Sequence, residues 1–200
     1  MDTNEKTMTP EESLQFIRKS IINSKKNLKE RSFYFILWGW ILTLASLSHY
    51  FLLRYLINHK LYENMYIKST VLWAVFIAAG FIILFIYKSR EGKKDIFITY
   101  IDRFLTILWS SAGVLFALIV LFCYRLDIYP SPFIIAITGM ATFVSGMMIR
   151  FIPLIVGGVL FAVIAAVSVF MPGLTQLLLI AVSIVLGYLV PGYLLKTSKY

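Results

Sequence analysis

The sequence predicts an all-α membrane protein: a six-transmembrane-helix bundle with an N-terminal cytoplasmic amphipathic helix. Three observations lead there. Hydrophobic residues make up 60% of the 200-residue chain and charged residues 14%, with a mean hydropathy of +0.82; soluble domains carry roughly 45–50% apolar and about 25% charged residues. Uncharged runs as long as the roughly 20 residues that cross a bilayer as helix follow one another along the chain. Basic residues gather in alternate segments between those runs, which sets an orientation.

The stretch 1–31 is the one sizeable polar segment. Thr9 is a candidate N-cap, Pro10 occupies the first helical position and Glu12 follows at the third place after the cap, so a helix is expected to begin here. Leu14, Ile17, Ile21 and Leu28 recur at helical spacing, while Lys19, Lys25, Lys26, Lys29 and Arg31 belong to the polar surface. These five are the candidate contacts for lipid headgroups or a protein partner. From Ser13 to Arg31 six basic residues stand against Glu30, a charge of +5. Such a helix lies on the membrane surface, pairs with another protein or a second copy, or extends the first span. The apolar pattern covers barely two heptads, too little for a coiled coil.

Charges bound the spans. The first is expected at 32–53, the second at 69–87 and the third at 104–124, each between flanking basic residues. The fourth, at 132–149, ends at Arg150, the only charge between Pro132 and Leu195. The uncharged run from Arg150 to Lys196 is more than twice the roughly 20 residues of one span, and Pro172-Gly173 near its middle signals a turn. That gives a fifth span at 151–171, a sixth at 174–195 and a tail at 196–200. An arginine at mid-bilayer costs at least about 2.5 kcal/mol, whereas at an interfacial turn its side chain reaches water and phosphate. Arg150 is therefore read as a cytoplasmic turn, closely followed by Pro153.

With the N-terminus inside, fifteen of the nineteen Lys and Arg fall on the inner side, and only Arg54, Lys60, Lys68 and Arg125 outside. Both chain ends are thus expected in the cytosol. The same bias explains the net charge of +9 without nucleic acid, which is not expected as a partner. Trp38, Trp40, Trp73 and Trp109 fall near span ends, as interfacial anchors do. The segment before the first span is too long for a signal-peptide n-region, so that span is expected to be retained.

A faint internal repeat links the first span to the third. Phe33, Ile36, Leu37, Trp38, Leu44, Leu47, Phe51 and Arg54 recur at one constant offset as Phe104, Ile107, Leu108, Trp109, Leu115, Leu118, Phe122 and Arg125. Both copies run in the same direction, so the unit is a parallel hairpin and not the inverted repeat of many secondary transporters. Small residues line the later spans: Gly139, Thr142 and Gly146 in the fourth, Gly157, Gly158, Ala162, Ala165 and Ala166 in the fifth. They are read as close helix packing. Gln176, Ser183 and Gly187 align in the sixth, where Pro191 is expected to free the Gly187 carbonyl and kink the helix.

Chemistry is sparse. All ten acidic residues lie outside the spans or at their boundaries, which counts against ion-coupled transport through a buried carboxylate. His49 and His59 lack companions at metal-ligand spacing, and the single Cys123 allows no intrachain disulfide. Ser145-Gly146 has no G-x-S-x-G context and no later histidine to serve as base. No catalytic residue, cofactor or metal is expected, and the chain is read as not an enzyme.

The stretches FYFILWGWILTLASLSHY (Phe33 to Tyr50), FIPLIVGG beside Arg150 and GYLVPGYLLK (Gly187 to Lys196) resemble a family of small six-span integral membrane proteins of Bacteroidetes-type bacteria. The resemblance implies a bacterial inner-membrane location and no particular activity. Two function classes follow. The first is a non-enzymatic interaction, regulatory or scaffold protein whose basic helix engages membrane lipids, a protein partner or a second copy. The alternative is a small-solute transport protein, similar in size and span count to the substrate-binding subunits of energy-coupling vitamin transporters, with Thr43, Ser46 and His49 as a weak candidate pocket lining.

Overall fold

A computed structural model describes residues 10–91 and 100–197, with side chains described over 32–90 and 100–197. The described chain is helical throughout: α1 Pro10–Asn58, α2 Met65–Glu91, α3 Tyr100–Leu126, α4 Ser131–Ile149, α5 Ile152–Ser168, α6 Gly173–Ile184, a π turn Val185–Leu189 and α7 Val190–Thr197. Five segments are long and apolar enough to cross a membrane: Ser32–Asn58, Met65–Arg90, Tyr100–Leu126, Ser131–Ile149 and Gly173–Thr197. The last joins α6, the π turn and α7. This is a multi-span integral membrane protein.

Helix α5 differs from the expected fifth span. It holds 17 residues, at the lower edge of the range of about 17–25 that spans a bilayer. It stops at Ser168 because the chain turns early toward Pro172, which has no N–H to continue a helix. The last carbonyls of a helix need outside donors. The Phe170 and Met171 N–H groups reach back to Val167 and Ser168, and Gln176 Nε2 adds a second donor to the Ser168 carbonyl and one to Met171 in the turn beyond, both at 3.1 Å.

Arg150 sits where α4 gives way to α5. Its φ of 57° and ψ of 42° are left-handed, its N–H donates to the Met147 carbonyl at 3.2 Å, and the Phe151 N–H donates to Gly146 at 2.9 Å. That bond pair is a Schellman closure, which satisfies carbonyls the helix end would leave open. Pro153 then stands in the first turn of α5. The guanidinium is exposed at this end of the bundle.

The core lies where α4, α5 and the α6–α7 segment meet α1. Ile135, Leu154, Phe161, Leu177, Ile184 and Tyr188 are buried in it. Lipid offers no hydrophobic drive between helices, so close backbone approach must carry the association. Gly158 lies on the Phe143 backbone, where an added methyl would stand 2.6 Å away, and Gly139 lies on Phe161. At the centre Gly157 and Gly187 meet backbone to backbone. A methyl on Gly157 would overlap the Gly187 carbonyl, and one on Gly187 would stand 2.8 Å from the Gly157 oxygen. The α-hydrogens therefore point at the opposite carbonyls, the geometry of paired Cα–H···O contacts.

Helices α2 and α3 are peripheral. Helix α2 rests on α1 and α3 on α4, and most of their apolar side chains, such as Val75, Phe85, Val114 and Phe122, face outward to lipid.

These contacts set a contrast between two glycines. Gly157→Ala is expected to destabilise the bundle by about 1–3 kcal/mol, the cost of overpacking, read as a lowered unfolding temperature in detergent. Gly113→Ala, with nothing within 4 Å, is expected to leave it unchanged or raise it by up to about 1 kcal/mol of helix propensity. Equal effects at the two positions would disprove the Gly157–Gly187 contact.

Candidate functional site

Pro191 dictates the local geometry of the last span. It has no N–H, and in an α-helix its ring collides with the carbonyl one turn back, that of Gly187. The helix answers by widening for one turn. In that π turn the Val190 N–H reaches back to the Val185 carbonyl, and α7 then resumes. The sequence pointed to a kink at this place; the structure takes up the proline through an inserted π turn. Such turns often occur at functional sites.

The π turn carries Tyr188 into the bundle. Its ring meets Phe35 of α1 edge-on at 5.0 Å and Trp109 of α3 at 5.6 Å. Trp109 in turn donates its Nε1–H to the Ser145 hydroxyl of α4 at 3.2 Å, and Ser145 donates to the Ala141 carbonyl at 2.7 Å. Helices α1, α3 and α4 thus converge on one turn through aromatic edges and a hydrogen-bond relay. The Ser145 proton is committed to a carbonyl, an arrangement that holds helices in register and does not activate the oxygen.

The weak pocket lining disperses. Thr43 Oγ1 donates to the Gly39 carbonyl of its own helix at 2.7 Å, and Ser46 Oγ donates to the Leu177 carbonyl of α6 at 2.6 Å. His49 turns to α2, where its Nδ1 accepts from Trp73 Nε1 at 3.1 Å. Thr43 and Ser46 are buried and His49 is half-buried. The three are engaged separately. Lys19, Lys25, Lys26, Lys29 and Arg31 lie outside the residues whose side chains are described, although the backbone from Pro10 onward is helical and continuous with the first span.

The tryptophans are used differently from interfacial anchors. Trp38 packs on Gly80 and Phe81 of α2, and Trp73 and Trp109 spend their indole N–H groups on neighbouring helices. Only Trp40 is exposed, donating to Tyr193 Oη at 3.0 Å. A buried indole must find an acceptor, and His49 and Ser145 lie one helix away. Spacing along one chain gave no sign of these pairings.

Among the described residues no group of three His, Cys, Asp or Glu could hold a metal ion. Three buried atoms have no partner there: His49 Nε2, Thr142 Oγ1 and Gln176 Oε1.

Two substitutions test the relay and the hairpin clamp. Trp109→Phe keeps the ring edge on Tyr188 and removes the bond to Ser145, with an expected cost of about 0.6–1.7 kcal/mol, the range for interhelical hydrogen bonds in membranes. Gln176→Leu removes the side-chain donor shared by the Ser168 and Met171 carbonyls, of which Ser168 keeps the Met171 N–H, with an expected cost of about 0.5–1.5 kcal/mol. Both are read from unfolding midpoints in detergent, and a Gln176→Leu protein as stable as the parent would refute the clamp.

No family model, curated protein or solved structure matches the chain, so no family is identified. What stands is a multi-span helical membrane protein.

Proposed function

We propose that the chain is a non-enzymatic six-span protein of a bacterial inner membrane, with both termini in the cytosol, whose basic N-terminal helix engages a partner or lipid. Helix α5 completes the six, crossing with the minimum length. The count is supported by tight turns at both of its ends, the Arg150 closure and the Gln176 clamp. The orientation is supported by the bias of fifteen basic residues to one side.

The observation that carries the interaction reading is the unbroken α1. Its 49 residues reach about 74 Å at 1.5 Å per residue, more than twice the roughly 30 Å of bilayer hydrocarbon. The surplus holds Lys19, Lys25, Lys26, Lys29 and Arg31 in line with the first span. In this reading the basic segment extends beyond the bilayer, within reach of headgroups or a partner. The transport reading draws on a different observation, that among the described residues three buried polar atoms, on α1, α4 and α6, have no partner.

Cysteines placed beside position 150 and at each terminus, in a Cys123→Ser background, test the orientation. They are expected to resist membrane-impermeant thiol reagents in intact cells, and labelling of any of them from outside overturns it. Deleting residues 1 to 28 is expected to release a cross-linked partner while the bundle still folds. A small solute that copurifies with the intact protein, unaffected by that deletion, would favour transport instead.

A further inference from the structure

The end of the bundle opposite Arg150 carries an exposed cluster of rings around one carboxylate. Tyr66, in the first turn of α2, donates its Oη–H to Asp127 Oδ1 at 3.4 Å, and its ring meets that of Tyr124, near the end of α3, at 5.3 Å and 83°. Asp127, Tyr124 and Tyr129 all lie within electrostatic reach of the Tyr66 hydroxyl. Two rings at right angles form a corner, and the carboxylate stands at its rim.

Local chain geometry fixes these groups. Helix α3 closes on a left-handed Asp127, with φ of 55°, while the Ile128 N–H returns to the Cys123 carbonyl at 3.0 Å. Glycine is the usual occupant of such a closing position; here it bears a carboxylate. The Tyr129 ring lies against Gly173 at the start of α6, where any side chain begun on that glycine would overlap it. The loop between α3 and α4 is thus held at both Asp127 and Tyr129.

The corner is open and its charge is not neutralised. Tyr66 is 59% exposed and Tyr124 61%, so much of each ring surface is accessible. Among the described residues no lysine or arginine pairs with Asp127, and two cations of that end turn elsewhere: Lys68 Nζ donates to the Glu63 carbonyl at 3.2 Å and Arg54 Nη1 to Tyr50 Oη at 3.5 Å. Aromatic faces carry the negative lobe of the ring quadrupole and attract a cation within about 6 Å of the centroid. The bond from the Tyr66 hydroxyl to an anion pushes further electron density into that ring. A bare metal ion needs several oxygens and gives up water reluctantly. An alkylammonium, charged at its centre and apolar at its surface, is matched by one carboxylate and two aromatic walls.

We infer that this corner binds an organic ammonium group, carried by a lipid headgroup or a free solute, with the Tyr66 and Tyr124 rings against its alkyl surface and the Asp127 carboxylate as its counter-ion. The site is separate from the basic N-terminal helix and rests neither on the orientation nor on the proposed function.

Full-length protein labelled with fluorotyrosine, in an uncharged maltoside detergent, is titrated with tetramethylammonium chloride and followed by fluorine NMR. Tyr66→Phe and Tyr124→Phe assign the two resonances. Both are expected to shift saturably, whereas matched sodium chloride and neopentyl alcohol, a neutral molecule of similar shape, leave them in place. Asp127→Asn, which a left-handed position tolerates, is expected to weaken binding about fivefold and Tyr124→Leu about two- to fivefold. Tyr62→Leu, an exposed tyrosine at the same end, leaves it unchanged. An equal response to neopentyl alcohol overturns the assignment in favour of a plain apolar patch, and so does undiminished affinity in Asp127→Asn, whose other resonances report an intact fold. Nanodiscs of phosphatidylglycerol with and without phosphatidylethanolamine separate the two sources. A headgroup is the ligand if phosphatidylethanolamine moves the same resonances and excludes tetramethylammonium; a free solute is the ligand if the corner stays open to tetramethylammonium in its presence.

Discussion

Everything in this bundle depends on how helices adhere when the solvent is hydrocarbon. Burying leucine against leucine gains little where lipid tails are equally apolar, so contact must come from backbones that approach closely and from polar groups with nowhere else to go. The Gly157–Gly187 meeting supplies the first. The second comes from Ser46 on the Leu177 carbonyl, Trp109 on Ser145 and Gln176 on the end of α5. Each of these joins the α4–α5–α6 core to itself or to a neighbouring helix. Helices α2 and α3 lack glycine contacts of that kind with the core, and they lie at its edge.

Pro191 shows how one residue shapes the site. Its missing N–H and its ring force the preceding turn to widen, and the widened turn places Tyr188 between Phe35 and Trp109. The same turn puts Gly187 where its carbonyl meets Gly157. A proline that weakens its own helix thus organises the association of four others. The local loss of a hydrogen bond is offset by contacts that exist only because the helix is not regular.

Much of the architecture was legible in the residues themselves. Helix positions follow from uncharged length and flanking charge, which act locally, and the small residues of α4 and α5 do mark the closest packing. The parallel repeat corresponds to the hairpins α1–α2 and α3–α4, with Trp38 packing on α2 and its counterpart Trp109 on α4. What the repeat hides is asymmetry: α1 lies along α6 and α7, while α3 packs along α4 and reaches the last span only through Trp109 on Tyr188. Composition cannot convey this, because a lipid-facing helix and a core helix are equally apolar. The grouping of Thr43, Ser46 and His49 met the same obstacle. Spacing places side chains on a helix, but the neighbours that claim them come from distant parts of the chain, Leu177 for Ser46 and Trp73 for His49. The π turn was half visible, since Pro191 announced an irregularity without its form.

The unbroken α1 turns the first span into a lever. Membrane helices tilt to match bilayer thickness. The part from Pro10 to Arg31 extends about 33 Å, so a tilt change of about 10° carries the far tip roughly 6 Å sideways. Thinning or stretching of the surrounding lipid would in this way reach the aqueous phase as a movement comparable to one helical turn, with no hinge needed along the path.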